Sequence, residues 1–75
     1  MDDTTVTTRN AKQLVLALRR FRKLKSYTQG ELGISAGLPQ TSISKIEVGL
    51  VDPSLTTMFK LLAALDLEIV VKSKK

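Results

Sequence analysis

Seventy-five residues make one domain, and a chain this short buries only about 60% of the surface its unfolded form exposes. With neither cysteine nor histidine it has no disulfide and lacks the usual zinc ligands, and no acidic cluster offers a carboxylate-only metal site. Twelve Lys and Arg against seven Asp and Glu give a net charge of +5, which suits a polyanion, and no apolar run approaches the ~20 residues of a membrane span.

Residues 1–9 are mostly Thr and Asp without periodicity, which reads as a disordered N-terminal arm and not as a signal peptide. A soluble, cytoplasmic, nucleoid-associated protein is expected. The first helix starts at Asn10, a capping residue with Gln13 three positions on as its reciprocal partner. Its apolar face is Ala11, Leu14, Val15, Leu18 and Phe21, spaced by three and four. Five basic residues gather towards its end: Arg19, Arg20, Arg22, Lys23 and Lys25. They form either a solvated face or a surface for DNA phosphates.

The second helix has the clearest start. Thr28 and Glu31 have capping-box spacing, and Tyr27 and Leu32 are placed for a hydrophobic staple. It ends near Ala36, where Gly37 can take the left-handed conformation. The third helix runs from Gln40 to about Val48 with Ile43 and Ile46 inward, and Gly49 ends it. Ser54 caps a fourth helix with a stripe of Leu55, Met58, Phe59, Leu62 and Leu65; Met58 and Phe59 read as core and not as a ligand box.

Residues 67–75 differ from the rest. Leu67 to Lys72 is β-rich, with Leu67, Ile69 and Val71 alternating to one side and Val70 between them. A lone strand leaves its edge unpaired, and nothing else in the chain resembles a strand. The expectation is an antiparallel pair with a second copy, which would also supplement a small core. An extended tail lying on the fourth helix is the alternative.

The two short helices around Gly37 form a helix-turn-helix, whose second helix offers its N-terminal residues to base edges in the major groove. Those residues are Gln40, Thr41, Ser42, Ser44 and Lys45. Gln40 can bond adenine through both amide atoms, and Thr41 can set its methyl against thymine. Ser44 lies one turn along, Lys45 can reach guanine or phosphate, and Ser42 is divided between groove and backbone. Enzymatic function is not expected: there are no paired carboxylates and no phosphate-binding glycine loop, and the serines lack a base. A protein-binding adaptor on the same scaffold is disfavoured by the polar third helix and the positive charge.

Residues 28–49 carry the pattern T-Q-x-x-L-x-x-x-x-G-x-x-Q-x-x-I-S-x-x-E-x-G, which resembles the Xre/Cro/C1 family of DNA-binding repressors. The resemblance covers residues 10–66 and implies an all-α, four-helix, lambda-repressor-like domain; the C-terminal strand pairing across a homodimer follows it in the chain. It implies that Gln29 contacts a phosphate and packs against Gln40. It also implies a structural salt bridge between Arg22 and Glu47, joining the first helix to the end of the third. Pro39 departs from the Ser, Thr or Lys common there and offers no hydrogen bond to a base, so a relative's operator does not transfer.

Within the family the chain is similar to HipB-type antitoxins, on Asn10-Ala11-Lys12-Gln13-Leu14, on Leu55-Thr56-Thr57-Met58-Phe59-Lys60 and on Leu67 to Lys72. That similarity implies a dimer on a palindromic double-stranded operator, repressing its own operon and binding a HipA-type serine/threonine kinase toxin, with no cofactor or metal. A free-standing Xre-type regulator or phage repressor without a toxin is the alternative.

Overall fold

The computed structural model describes residues 5–75. Four helices follow in chain order: α1 (Ala11–Leu24), α2 (Gln29–Ala36), α3 (Gln40–Glu47) and α4 (Leu55–Ala64). Of the arm expected over residues 1–9, residues 1–4 lie outside the described residues, and residues 5–9 carry no regular secondary structure.

Three helices begin with a side chain satisfying a backbone N–H that has no partner in the helix. Asn10 Oδ1 accepts from the Gln13 N–H at 2.9 Å. Gln13 reaches back, but to the Arg9 N–H at 2.7 Å, one residue before the expected partner. The capping box on α2 is complete: Thr28 Oγ1 accepts from the Glu31 N–H at 3.0 Å, and Glu31 Oε1 accepts from the Thr28 N–H at 2.9 Å. Ser54 Oγ accepts from the Thr57 N–H at 3.1 Å. α3 has no side-chain cap; Pro39 precedes it with φ −63° and ψ 147°.

All four helices end in one way. A residue with positive φ follows each: Ser26 (59°), Gly37 (72°), Gly49 (83°) and Asp66 (59°). The next N–H then bonds a carbonyl five residues back: Tyr27 to Arg22, Leu38 to Gly33, Leu50 to Lys45 and Leu67 to Leu62, at 2.8–3.0 Å. This is the Schellman closure, and it satisfies carbonyls that the last turn leaves open. Only two of the four positions are glycine.

The core joins the four helices: Val15 and Leu18 from α1, Leu32 from α2, Ile43 and Ile46 from α3, then Met58, Leu61 and Leu62 from α4 with Leu65 beyond it. Tyr27 packs against this cluster, as a staple beside Leu32 requires. The expected stripes need correction. On α1, Ala11 is exposed, and Leu14 and Phe21 are half-buried. On α4, Leu55 and Phe59 face outward at 76% and 54% exposure, while Leu61, absent from the expected stripe, is buried. α4 is apolar around more than half its circumference, so two stripes satisfy the same spacing. The face met by α2 decides which one is buried.

The strand expected from Leu67 to Lys72 is not formed in the single chain, where no neighbouring strand offers hydrogen bonds. Among the described residues there is no strand at all. Leu67 packs on the core, while Ile69, Val70 and Val71 are exposed.

Candidate nucleic-acid interface

α2 and α3 meet at a sharp turn of three residues, Gly37 to Pro39. Its tightness rests on Gly33. A Cβ there would lie 2.5 Å from the backbone oxygen of Leu38, closer than real Cβ atoms come, so only hydrogen fits. The carbonyl sits two residues before Gln40, and the missing methyl therefore sets how near α3 approaches α2.

The first turn of α3 stands open. Gln40, Thr41 and Lys45 are exposed, and Ser42 and Ser44 are half-buried beside the buried Ile43 and Ile46. All five sequence-predicted base-reading residues thus lie on one short helix, with Gln40 and Thr41 open at its start and Lys45 open in its last turn. The Gln40 side chain passes over Gly30, with Oε1 3.4 Å from where a Gly30 Cβ would sit.

The far end of α3 is held by charge. Arg22 Nε donates to Glu47 Oε2 at 2.6 Å and Arg22 Nη2 to Glu47 Oε1 at 2.9 Å, while Arg22 Nη1 donates to the Tyr27 carbonyl at 2.8 Å. The side chains are 9% and 7% exposed. Burial raises the Glu47 pKa; hydrogen bonds from Arg22 and Gln29 outweigh it, with the charges of Arg22 and Arg19 adding to them, and the carboxyl stays below its ordinary value of 4.5. The expected Arg22–Glu47 bridge between α1 and α3 is therefore present as a two-point fork.

Within the single chain Gln29 has a partner on α3. Its Nε2 donates to Glu47 Oε1 at 3.0 Å, which ties the start of α2 to the end of α3. The second N–H of that amide remains for another acceptor. Arg19 joins the same oxygen, with Nε 3.9 Å from Glu47 Oε1 and a side chain 48% exposed. Arg19 carried no special mark within its basic cluster; its three-residue spacing from Arg22, which puts both on one helix face, was the available signal.

Among the described residues no group of three or more His, Cys, Asp or Glu could hold a metal, and no helix is long and apolar enough to cross a membrane. The arrangement offers exposed polar side chains on α3, with Lys45 among them and a basic cluster at the end of α1, which fits recognition of DNA.

A family model described as "Helix-turn-helix" matches residues 18–71. An uncharacterised HTH-type transcriptional regulator of Sinorhizobium fredii, y4dL, is 43% identical over 58 residues, covering 77% of this chain and 30% of the relative. Antitoxin HipB of Escherichia coli O6:H1 is 39% identical over 57 residues, covering 76% of this chain and 61% of the relative. The chain thus spans less than two thirds of the length of these curated relatives. Among solved structures, a chain in "Structure of HipA-HipB-O2-O3 complex" superposes with a TM-score of 0.84 at 31% identity, over 95% of this chain and all of that one. These relatives are named as a regulator and an antitoxin, not as enzymes.

Proposed function

The chain belongs to the Xre-type helix-turn-helix family of DNA-binding regulators, and from that premise we propose that it is a dimeric, operator-binding repressor serving as the antitoxin of a HipA/HipB-type operon. Each subunit of the dimer sets α3 into a major groove, with half-sites about one helical turn, roughly 34–36 Å, apart. Gln40, Thr41, Ser42, Ser44 and Lys45 face the bases, and Gln29 faces the backbone. The dimer pairs through Leu67, Ile69, Val70 and Val71. Binding near its own promoter blocks transcription, and a HipA-type serine/threonine kinase is the protein partner.

The observation that carries this reading is the likeness, over nearly the whole chain, to a HipB chain solved together with HipA. The exposed polar first turn of α3 supports the DNA half of it, and the exposed Ile69, Val70 and Val71 support the dimer.

The test is to express the tagged chain in its native host and identify what co-purifies at moderate salt. A stoichiometric kinase-like protein is the expected result. A clean homodimer carrying DNA alone would replace the antitoxin reading with that of a free-standing regulator.

A further inference from the structure

We infer that Arg19 is a phosphate-binding residue, held against the helix-turn-helix by Glu47 so that it and Gln29 bind the DNA backbone together. The inference rests on the DNA-binding reading above and adds a residue to it.

Glu47 Oε1 collects three donors. Arg22 Nη2 lies at 2.9 Å, Gln29 Nε2 at 3.0 Å and Arg19 Nε at 3.9 Å. They differ in what they have left to give. Arg22 uses Nε, Nη1 and Nη2 on Glu47 and the Tyr27 carbonyl, and it is buried. Gln29 keeps one amide N–H, and Arg19 keeps its guanidinium. At 3.9 Å the Arg19 contact is ionic and too long for a hydrogen bond, and half the side chain meets solvent.

The carboxylate thus holds an arginine and an amide against one oxygen atom, each with donors to spare. One is on α1 and the other starts α2. A planar guanidinium beside an amide N–H suits the two non-bridging oxygens of one phosphate. Arg20, Lys23 and Lys25 are exposed like Arg19 but show no tie to α2 or α3. The five-residue basic cluster therefore divides by geometry: Arg22 holds the fold, Arg19 joins the interface, and the other three are solvated.

Fluorescence anisotropy with a labelled random-sequence duplex tests this by salt titration. Wild type should bind, with log K falling linearly against log salt. R19Q should flatten that line by about 0.9 for each phosphate it no longer neutralises, and R20Q should leave the slope unchanged. Losses in R19Q should be equal on unrelated duplexes. In an E47Q background R19Q should cost less affinity than in wild type, because the neutral side chain no longer holds the guanidinium in place. Circular dichroism fixes a temperature at which each variant is folded; should E47Q not fold, the R19Q and R20Q pair decides alone.

Wild type binding with R19Q at an unchanged slope overturns Arg19 and leaves the DNA reading standing. Equal R19Q losses in both backgrounds overturn the role of Glu47 in holding Arg19. Wild type that shows no salt-dependent binding overturns the DNA reading and this assignment with it.

Discussion

At the scale of single residues, the buried Arg22–Glu47 fork dominates. Taking one partner away strands a charge in a site where neither side chain is a tenth exposed. Glu47→Ala should lose about 3–5 kcal/mol, enough to unfold much of so small a domain, and urea denaturation followed by circular dichroism would read it. The same carboxylate gives the fold an acid limit. Its folded pKa lies below its ordinary 4.5, so its contribution is full above that value and vanishes as pH falls through the lower folded one. Glu31 is also lowered, by the Thr28 backbone and side-chain hydrogen bonds, so the acid transition has two contributors. Melting temperature should be flat from pH 7 to about 5 and fall below pH 4.5, and Glu31→Gln should remove only part of the fall. On the proposed reading, Gln40 alone accounts for preference at one base pair. Gln40→Ala should cost about 1–3 kcal/mol of operator affinity and relax preference at one base pair, as binding-site selection would reveal. The Arg22–Glu47 pair was legible through the family resemblance, and the outward polar residues of α3 through their place just after the Gly37 turn. The Gln29 contact with Glu47 was not: nothing in the order of residues tells an amide at position 29 to turn towards position 47.

At the scale of elements, helix starts were readable and helix faces less so. Capping is local, within four residues, and Asn10, Thr28 and Ser54 all cap as their neighbours demand. Burial is decided across the molecule. Leu55 and Phe59 continue an apolar row on α4, yet that row is not the one the other helices cover. Helix ends fall between these cases. Gly37 and Gly49 announced two closures, but Ser26 and Asp66 adopt the same left-handed backbone without glycine. An L residue there carries a penalty of roughly 1–2 kcal/mol. Ser26→Gly and Asp66→Gly should each stabilise the domain by up to about 1 kcal/mol, part of the gain being offset by the freer unfolded chain, with thermal melts as the measure. The two helical glycines of α2 should respond oppositely to alanine. At Gly30 the new methyl meets the tip of Gln40 at 3.4 Å and Thr28 Oγ1 at 3.9 Å, both ordinary contacts, so up to about 1 kcal/mol of helix propensity is gained. At Gly33 it meets backbone at 2.5 Å, and the protein should lose stability.

At the scale of the whole molecule, apolar surface left outside the core is the main fact. Leu55 and Phe59 on α4, then Ile69, Val70 and Val71 beyond it, are all exposed. Single exposed apolar residues are ordinary, but a β-rich segment with an unpaired edge following an apolar helix face is a surface made for covering. In the proposed dimer a second copy would cover it with the same elements. Sedimentation of the wild type should give a dimer, and Ile69→Lys with Val71→Lys should give a folded monomer with weakened operator binding. An unchanged dimer would move the subunit contact elsewhere. The sequence signalled this segment through its alternation; one chain alone supplies no neighbour for it.

Consider again the single hydrogen at position 33. α3 is about 12 Å long, eight residues at 1.5 Å each, and is gripped at its far end by Glu47. A change at Gly33 pushes the near end, where Gln40 stands, while the far end stays fixed. The helix then behaves as a lever pivoting on its ion pair. On the proposed reading, a substitution that touches no base would thus re-aim every residue that does, and operator preference would drift through the hinge before any reading residue changed.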